Sequence, residues 1–97
     1  MAGSVTRESL AAQMGLTPTR VHTVFRRATG MAPMRYVRQL RIRHAQRLLM
    51  ETTLSVAEVG ARIGCRDPFH FSRMFKTATG KSPGAYRREI QKSIRAV

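Results

Sequence analysis

One segment of the chain occurs twice, fifty positions apart, and this duplication strongly limits the folds that the chain can adopt. The first copy covers residues 25–36 and the second covers residues 75–86. Phe, Ala-Thr-Gly, Pro and Tyr recur at the same spacing, and a basic residue follows each Phe. A chain of 97 residues has room for two very small subdomains, each too small to bury much surface alone. The duplication therefore indicates one folding unit used twice.

The similarity between the copies continues upstream, where residues 6–15 match residues 55–64 at an offset of 49. Each copy then predicts a short helix, a glycine-containing turn, a second helix and a further turn. Two helices joined by a short turn that contains glycine form a helix-turn-helix. No strand pattern interrupts this order, so the sequence predicts an all-α chain with two helix-turn-helix subdomains.

Capping residues mark the ends of these predicted helices. A side-chain oxygen before a helix can accept hydrogen bonds from the free amides of the first turn, and proline suits the first helical position. Glycine suits the left-handed conformation that follows a helix. The residues expected to begin the helices are Thr6, Ser55, Thr17-Pro18 and Asp67-Pro68, and those expected to end them are Gly15, Gly64, Gly30 and Gly80.

The second helix of each copy carries apolar residues at helical spacing, which predicts a buried face. These residues are Val21, Val24, Phe25 and Ala28 in the first copy, and Phe71, Met74, Phe75 and Ala78 in the second. The opposite faces are centred on Thr19, Thr23 and Arg26, and on Phe69, Arg73 and Lys76. We expect these opposite faces to be exposed.

A long helical pattern over residues 33–50 lies between the copies, and it would span roughly 27 Å. Tyr36, Val37 and Leu40 lie on one side of this helix, whereas Ala45, Leu48 and Leu49 lie more than a quarter turn away. A helix whose apolar face rotates along its length can pack on one body at its start and on another at its end. The predicted organisation is a first subdomain at 1–32, a linker helix at 33–50 and a second subdomain at 51–97.

The charge of the chain favours a polyanionic partner. Eighteen Lys and Arg against five Asp and Glu give a net charge of +13, spread along the whole chain. Most of these bases are arginine, which favours bidentate contacts with phosphate and guanine. The charge fits a polyanion or an anionic membrane surface, and the duplication favours nucleic acid, a long ligand that can meet two similar modules at once. The basic residues expected to bind its phosphates are Arg20, Arg26, Arg27 and Lys76.

Other classes of site find little support in the sequence. The single cysteine, Cys65, allows no internal disulfide. His22, His44 and His70 do not combine with Cys65 in a metal-ligand spacing, so no metal or cofactor is expected. No apolar run reaches the length of a membrane span. We therefore expect a cytoplasmic protein associated with the nucleoid.

These residues resemble the DNA-binding domain of the AraC/XylS family of bacterial transcription regulators. The resemblance covers about Thr6 to Ile90. It rests on residues 25–36, on residues 41–49 of the predicted linker, and on residues 55–60 followed by Gly64, Asp67, Phe71, Ser72, Arg73 and Phe75. It implies a homeodomain-like, AraC-type fold in which two recognition helices enter successive major grooves on one face of duplex DNA.

The resemblance also implies which side chains contact bases. Carried onto the matching positions of this chain, these are Thr19, His22, Thr23, Phe69, Ser72 and Arg73. Arg73 could read guanine through O6 and N7, and Phe69 could contact a thymine methyl group. Both residues could instead have other roles, since Arg73 could bind only phosphate and Phe69 could be a packing residue.

Three departures from the family pattern affect these expectations. Thr23 stands where the family commonly has arginine, and Cys65 stands where an aromatic residue is usual. The family helix that precedes the first copy is expected to be missing or trimmed. The chain is therefore expected to be a fragment of a larger regulator, whose effector or dimerisation domain lies outside it. RNA polymerase is a further candidate partner.

Two other functions remain as alternatives. The first is a cationic membrane-surface protein, which requires one continuous apolar face. The second is the DNA-tethering module of a larger enzyme, such as a DNA-repair methyltransferase. An enzyme within the chain itself is not expected: Asp67, His70 and Ser72 lie within one and a half helical turns, where Asp67 is better explained as an N-cap.

Overall fold

The computed structural model describes residues 6–95, and over these residues it contains helices and turns but no strand. The helices are α1 Arg7–Met14, α2 Pro18–Thr29, α3 Pro33–Glu51, α4 Val56–Arg62, α5 Pro68–Thr79 and α6 Pro83–Arg95. The all-α prediction is confirmed, and the predicted linker helix ends one residue later than expected. Residues 1–5 and 96–97, which the predicted subdomains include, lie outside the described residues.

The described chain forms two compact units that divide inside α3. The N-terminal unit consists of residues 6–40, and the C-terminal unit consists of residues 41–95. In the N-terminal unit α1 packs against α2, and in the C-terminal unit α5 packs against both α4 and α6. Each unit therefore holds one helix-turn-helix. The finer division into 1–32, 33–50 and 51–97 stays a prediction.

The predicted N-caps are present at the start of four helices. Side-chain oxygens there accept hydrogen bonds from backbone amides of the first turn, at Thr6, Thr17, Ser55 and Asp67. At α4 the arrangement is reciprocal, because the Glu58 amide donates to Ser55 Oγ at 3.1 Å and the Ser55 amide donates to Glu58 Oε1 at 2.9 Å. These bonds from Ser55 lower the pKa of the Glu58 carboxyl.

The duplicated Ala-Thr-Gly ends α2 and α5 in the same way. Thr29 Oγ1 donates to the Phe25 carbonyl at 2.7 Å and accepts from the Met31 amide at 3.2 Å. Thr79 repeats both bonds in the second copy, at 2.9 and 3.3 Å. Gly30 follows with a φ of 76°, a left-handed conformation that glycine adopts without steric cost. The repeated threonine thus satisfies backbone groups that the helix end would leave without partners.

The duplicated Phe and Tyr contact each other in both units. The ring centroids of Phe25 and Tyr36 lie 5.6 Å apart, and those of Phe75 and Tyr86 lie 5.4 Å apart. Both pairs are edge-to-face, an arrangement that stabilises by about 0.5–1.5 kcal/mol beyond area burial. The contacts hold α2 against α3 and α5 against α6.

The two units have unequal cores. The buried apolar side chains of the N-terminal unit are Ala11, Val21 and Pro33. Those of the C-terminal unit are Ile42, Ala45, Leu49, Val59, Ile63, Cys65, Phe71, Phe75 and Pro83. Burial raises the pKa of the Cys65 thiol, and the charge of nearby Asp67 adds to this effect. Gly60 allows α4 to approach this core closely, because an added Cβ would lie 3.0 Å from both the Phe71 ring and the Cys65 carbonyl oxygen.

Three residues of the predicted buried faces are exposed instead. Ala28 and Ala78 lie in the last turns of α2 and α5, and both are exposed. Leu40 is 46% exposed, and it lies at the boundary between the two units, as the last residue of the N-terminal one.

Arg87 of α6 connects three backbone carbonyls in the C-terminal unit. Its guanidinium donates to Leu49 at 3.0 Å, to Thr52 at 3.2 Å and to Leu54. These carbonyls belong to the end of α3 and to the turn before α4. One side chain therefore joins α6 to that turn and satisfies carbonyls that a helix end leaves free.

Candidate nucleic-acid interface

The candidate interface consists of the solvent-facing sides of α2 and α5. Each helix has twelve residues, begins with a capped proline and buries one side within its own unit. Val21 is fully buried in α2, and Phe71 and Phe75 are fully buried in α5. Since the two helices begin and end at equivalent residues, positions fifty apart occupy equivalent places on them.

On α2 the predicted contact residues lie away from the core. Thr19 and His22 are exposed, and Thr23 is half-buried. The hydroxyl of Thr23 donates to the Thr19 carbonyl at 3.2 Å, so these two residues are joined within the helix. The predicted phosphate ligands of this helix are all exposed: Arg20, Arg26 and Arg27.

On α5 the corresponding side is more varied chemically. Phe69 is 77% exposed, the largest exposed fraction among the large apolar side chains of residues 6–95. Arg73 and Lys76 are exposed, and Ser72 is half-buried. The Phe69 amide donates to Asp67 Oδ1 at 3.0 Å, which fixes the first turn and confirms that Asp67 is an N-cap.

All charged side chains on these two faces are basic. Neither α2 nor α5 contains an acidic residue. Within residues 6–95, Glu51 pairs with Arg47 of its own helix α3, and Glu89 of α6 pairs with Lys81 of the turn before α6. No ion pair involving a base of α2 or α5 occurs in this part of the chain. The positive charges of the two faces therefore remain available to an anionic ligand.

The described residues form neither a metal-binding cluster nor a membrane-spanning helix. Between residues 6 and 95 no group of three His, Cys, Asp or Glu side chains could hold a metal ion. None of the six described helices is both long enough and apolar enough to cross a membrane.

Comparisons with known proteins identify the family. A family model described as a helix-turn-helix domain matches residues 10–89. The arabinose operon regulatory protein of Escherichia coli is 34% identical over 89 residues, which cover 92% of this chain. The chain belongs to the AraC-type helix-turn-helix family. This confirms the predicted family resemblance and the predicted AraC-type, all-α fold of the chain.

AraC-type relatives with curated descriptions are much longer than this chain. The transcriptional activator NphR of Rhodococcus is 41% identical over 85 residues, which cover 88% of this chain but 25% of NphR. The match to the arabinose operon regulatory protein covers 30% of that protein. The chain thus spans about a quarter to a third of the length of these relatives.

Solved AraC-type domains are similar in fold to most of this chain. The DNA-binding domain of the transcription factor AdpA, solved in complex with a target DNA, has a TM-score of 0.90 and 34% identity. The match covers 95% of this chain and 83% of that domain. The C-terminal domain of AraT, a response regulator from Geobacillus stearothermophilus, has a TM-score of 0.85 and 30% identity, covering 89% of this chain and 71% of that domain.

Proposed function

We propose that the chain binds duplex DNA at specific sequences and that it does so in bacterial transcription regulation. In this proposal α2 and α5 enter successive major grooves on one face of the duplex. The observation that carries it is the pair of capped helices whose open faces hold bases and no carboxylate. The similarity to a domain solved with its target DNA supports the same role.

The side chains of the two helices divide into two kinds of DNA contact. Arg73 donates both arms of its guanidinium to O6 and N7 of a guanine, and Phe69 packs on a thymine methyl group. The remaining base contacts come from Thr19, His22, Thr23 and Ser72. Phosphate contacts come from Arg20, Arg26, Arg27 and Lys76, and they position the protein without reading sequence.

The proposal extends to the protein that would contain this domain. An effector or dimerisation domain lies outside this chain, which agrees with the 25–30% share of the relatives that it covers. RNA polymerase is the proposed protein partner, the cytoplasm and nucleoid are the proposed location, and no catalytic role is assigned to the chain. Nothing in the comparisons favours a membrane-surface protein or a tether for an enzyme.

In vitro selection from a random duplex library tests this function. The full chain should enrich an asymmetric site with two half-elements about one helical turn, or roughly 34 Å, apart. Asymmetry is expected because the exposed residues of α2 and α5 differ while the scaffold is repeated. A palindromic site, or a failure to enrich any sequence over the starting library, would contradict the proposal.

A further inference from the structure

One pair of equivalent positions in α2 and α5 carries side chains that differ in hydrogen bonding. Thr23 and Arg73 both occupy the sixth position of a twelve-residue helix that begins with proline. Arg73 presents five donors and no acceptor. Thr23 has one hydroxyl, and that hydroxyl already donates to the Thr19 carbonyl at 3.2 Å.

This internal hydrogen bond determines what Thr23 can offer to a base. With its proton donated inside the helix, the side chain has no donor left for the two acceptors that guanine presents in the major groove. The hydroxyl is directed toward the Thr19 carbonyl of its own helix. The other branch of Cβ carries a methyl group, which can contact the C5 methyl group of thymine.

We propose that Thr23 recognises a thymine through its methyl group, so that the two half-elements are read by different chemistry at equivalent positions. The first half-element requires a thymine methyl where the second requires a guanine for Arg73. This inference rests on the proposed binding of α2 in a major groove. It goes beyond that function by assigning a base to the first unit.

Two substitutions of Thr23 separate its methyl group from its hydroxyl. Thr23→Ser keeps the hydroxyl and removes the methyl group, whereas Thr23→Val keeps a methyl group and removes the hydroxyl. The DNA probe is the site selected by the full chain, with each thymine of the first half-element replaced in turn by deoxyuridine, which lacks only the C5 methyl group. The first half-element is the one without the guanine on which Arg73 depends.

One of these deoxyuridine duplexes should bind the unsubstituted chain and Thr23→Val about fourfold more weakly than the selected site, the effect of one buried carbon group. Thr23→Ser should bind the selected site and this deoxyuridine duplex with equal affinity. As a control for folding, all three proteins should retain the same loss of affinity when 7-deazaguanine replaces guanine in the second half-element.

Two results would overturn the assignment while leaving DNA recognition intact. One is an equal response of all three proteins to every deoxyuridine. The other is weakened binding by Thr23→Val together with unchanged binding by Thr23→Ser, which would show that the hydroxyl makes the contact. By contrast, equal binding of the selected site and an unrelated duplex would overturn the proposed function itself.

Discussion

In the proposed complex, Arg73 and Lys76 of α5 differ in role, because one is proposed to contact a base and the other a phosphate. Arg73 and Lys76 are both exposed, lie three residues apart on the same helix and form no ion pair within residues 6–95. Arginine has a planar fork that matches guanine, whereas lysine is a compact point charge. The two residues therefore form a matched pair for separating base contacts from phosphate contacts.

Replacing Arg73 with alanine should weaken binding to the selected site by about 1–3 kcal/mol and remove the preference at one base pair. The matched variant Lys76→Ala should weaken binding to all sequences alike. Fluorescence anisotropy titrations against the selected site and its single-base-pair variants measure both effects. If Arg73→Ala weakens every duplex equally, Arg73 is a phosphate ligand.

The exposure of Thr19 and Arg73 was predictable from sequence, whereas Thr23 and Ser72 are half-buried. The hydrogen bonds of these residues were not predictable. A helix repeats every 3.6 residues, so the apolar positions Val21 and Phe71 place Thr19 and Arg73 on the open side. Threonine in a helix populates two rotamers, and only one of them returns the hydroxyl to the preceding turn. The bond from Thr23 to Thr19 therefore required the structure.

Among the helices, the ends are better defined by sequence than the contacts between them. The Ala-Thr-Gly repeat signalled two similar helix ends, and Thr29 and Thr79 form the same bonds there. The role of Arg87 could not be predicted from the repeat, because the equivalent position in the first copy is Val37. Its three acceptors lie 33 to 38 residues earlier in the chain, beyond the reach of any local pattern.

Replacing Arg87 with alanine should reduce the free energy of unfolding of the C-terminal unit by about 2–3 kcal/mol. Bonds from a charged donor to three carbonyls are lost, and half-buried acceptors lose their partners. The control is Arg88→Ala, an exposed neighbour whose loss should change stability by about 0.5 kcal/mol or less. Urea unfolding followed by circular dichroism compares them, and equal midpoints for the two variants would show that the Arg87 bonds contribute nothing.

At the scale of the whole molecule, the excess of positive charge should supply most of the affinity for the proposed DNA ligand. The net charge is +13, and Arg73 is the one charged side chain among the proposed base contacts, counting His as neutral. Each phosphate that a protein neutralises releases condensed counterions, so affinity falls as salt rises. The four proposed phosphate ligands, Arg20, Arg26, Arg27 and Lys76, allow the size of this effect to be stated.

The logarithm of the association constant should fall with the logarithm of salt concentration with a slope of about −3.6, which is about 150-fold between 50 and 200 mM. Lys76→Ala should make this slope shallower by about 0.9, because one phosphate contact is lost. Titrations at four salt concentrations give both slopes. An affinity that does not change with salt would rule out phosphate contacts as the main source of binding.

The sequence by itself determined the helices, their caps, the duplication and the charge, because capping, periodicity and composition act within a few residues. Only the tertiary structure decided which residues of the predicted apolar faces are in fact buried, since burial depends on residues distant in sequence. Leu40 and the alanines Ala28 and Ala78 match the apolar pattern and are nevertheless exposed. The same dependence on distant partners made the two cores unequal and gave Arg87 its carbonyls, although the two copies begin from nearly the same scaffold.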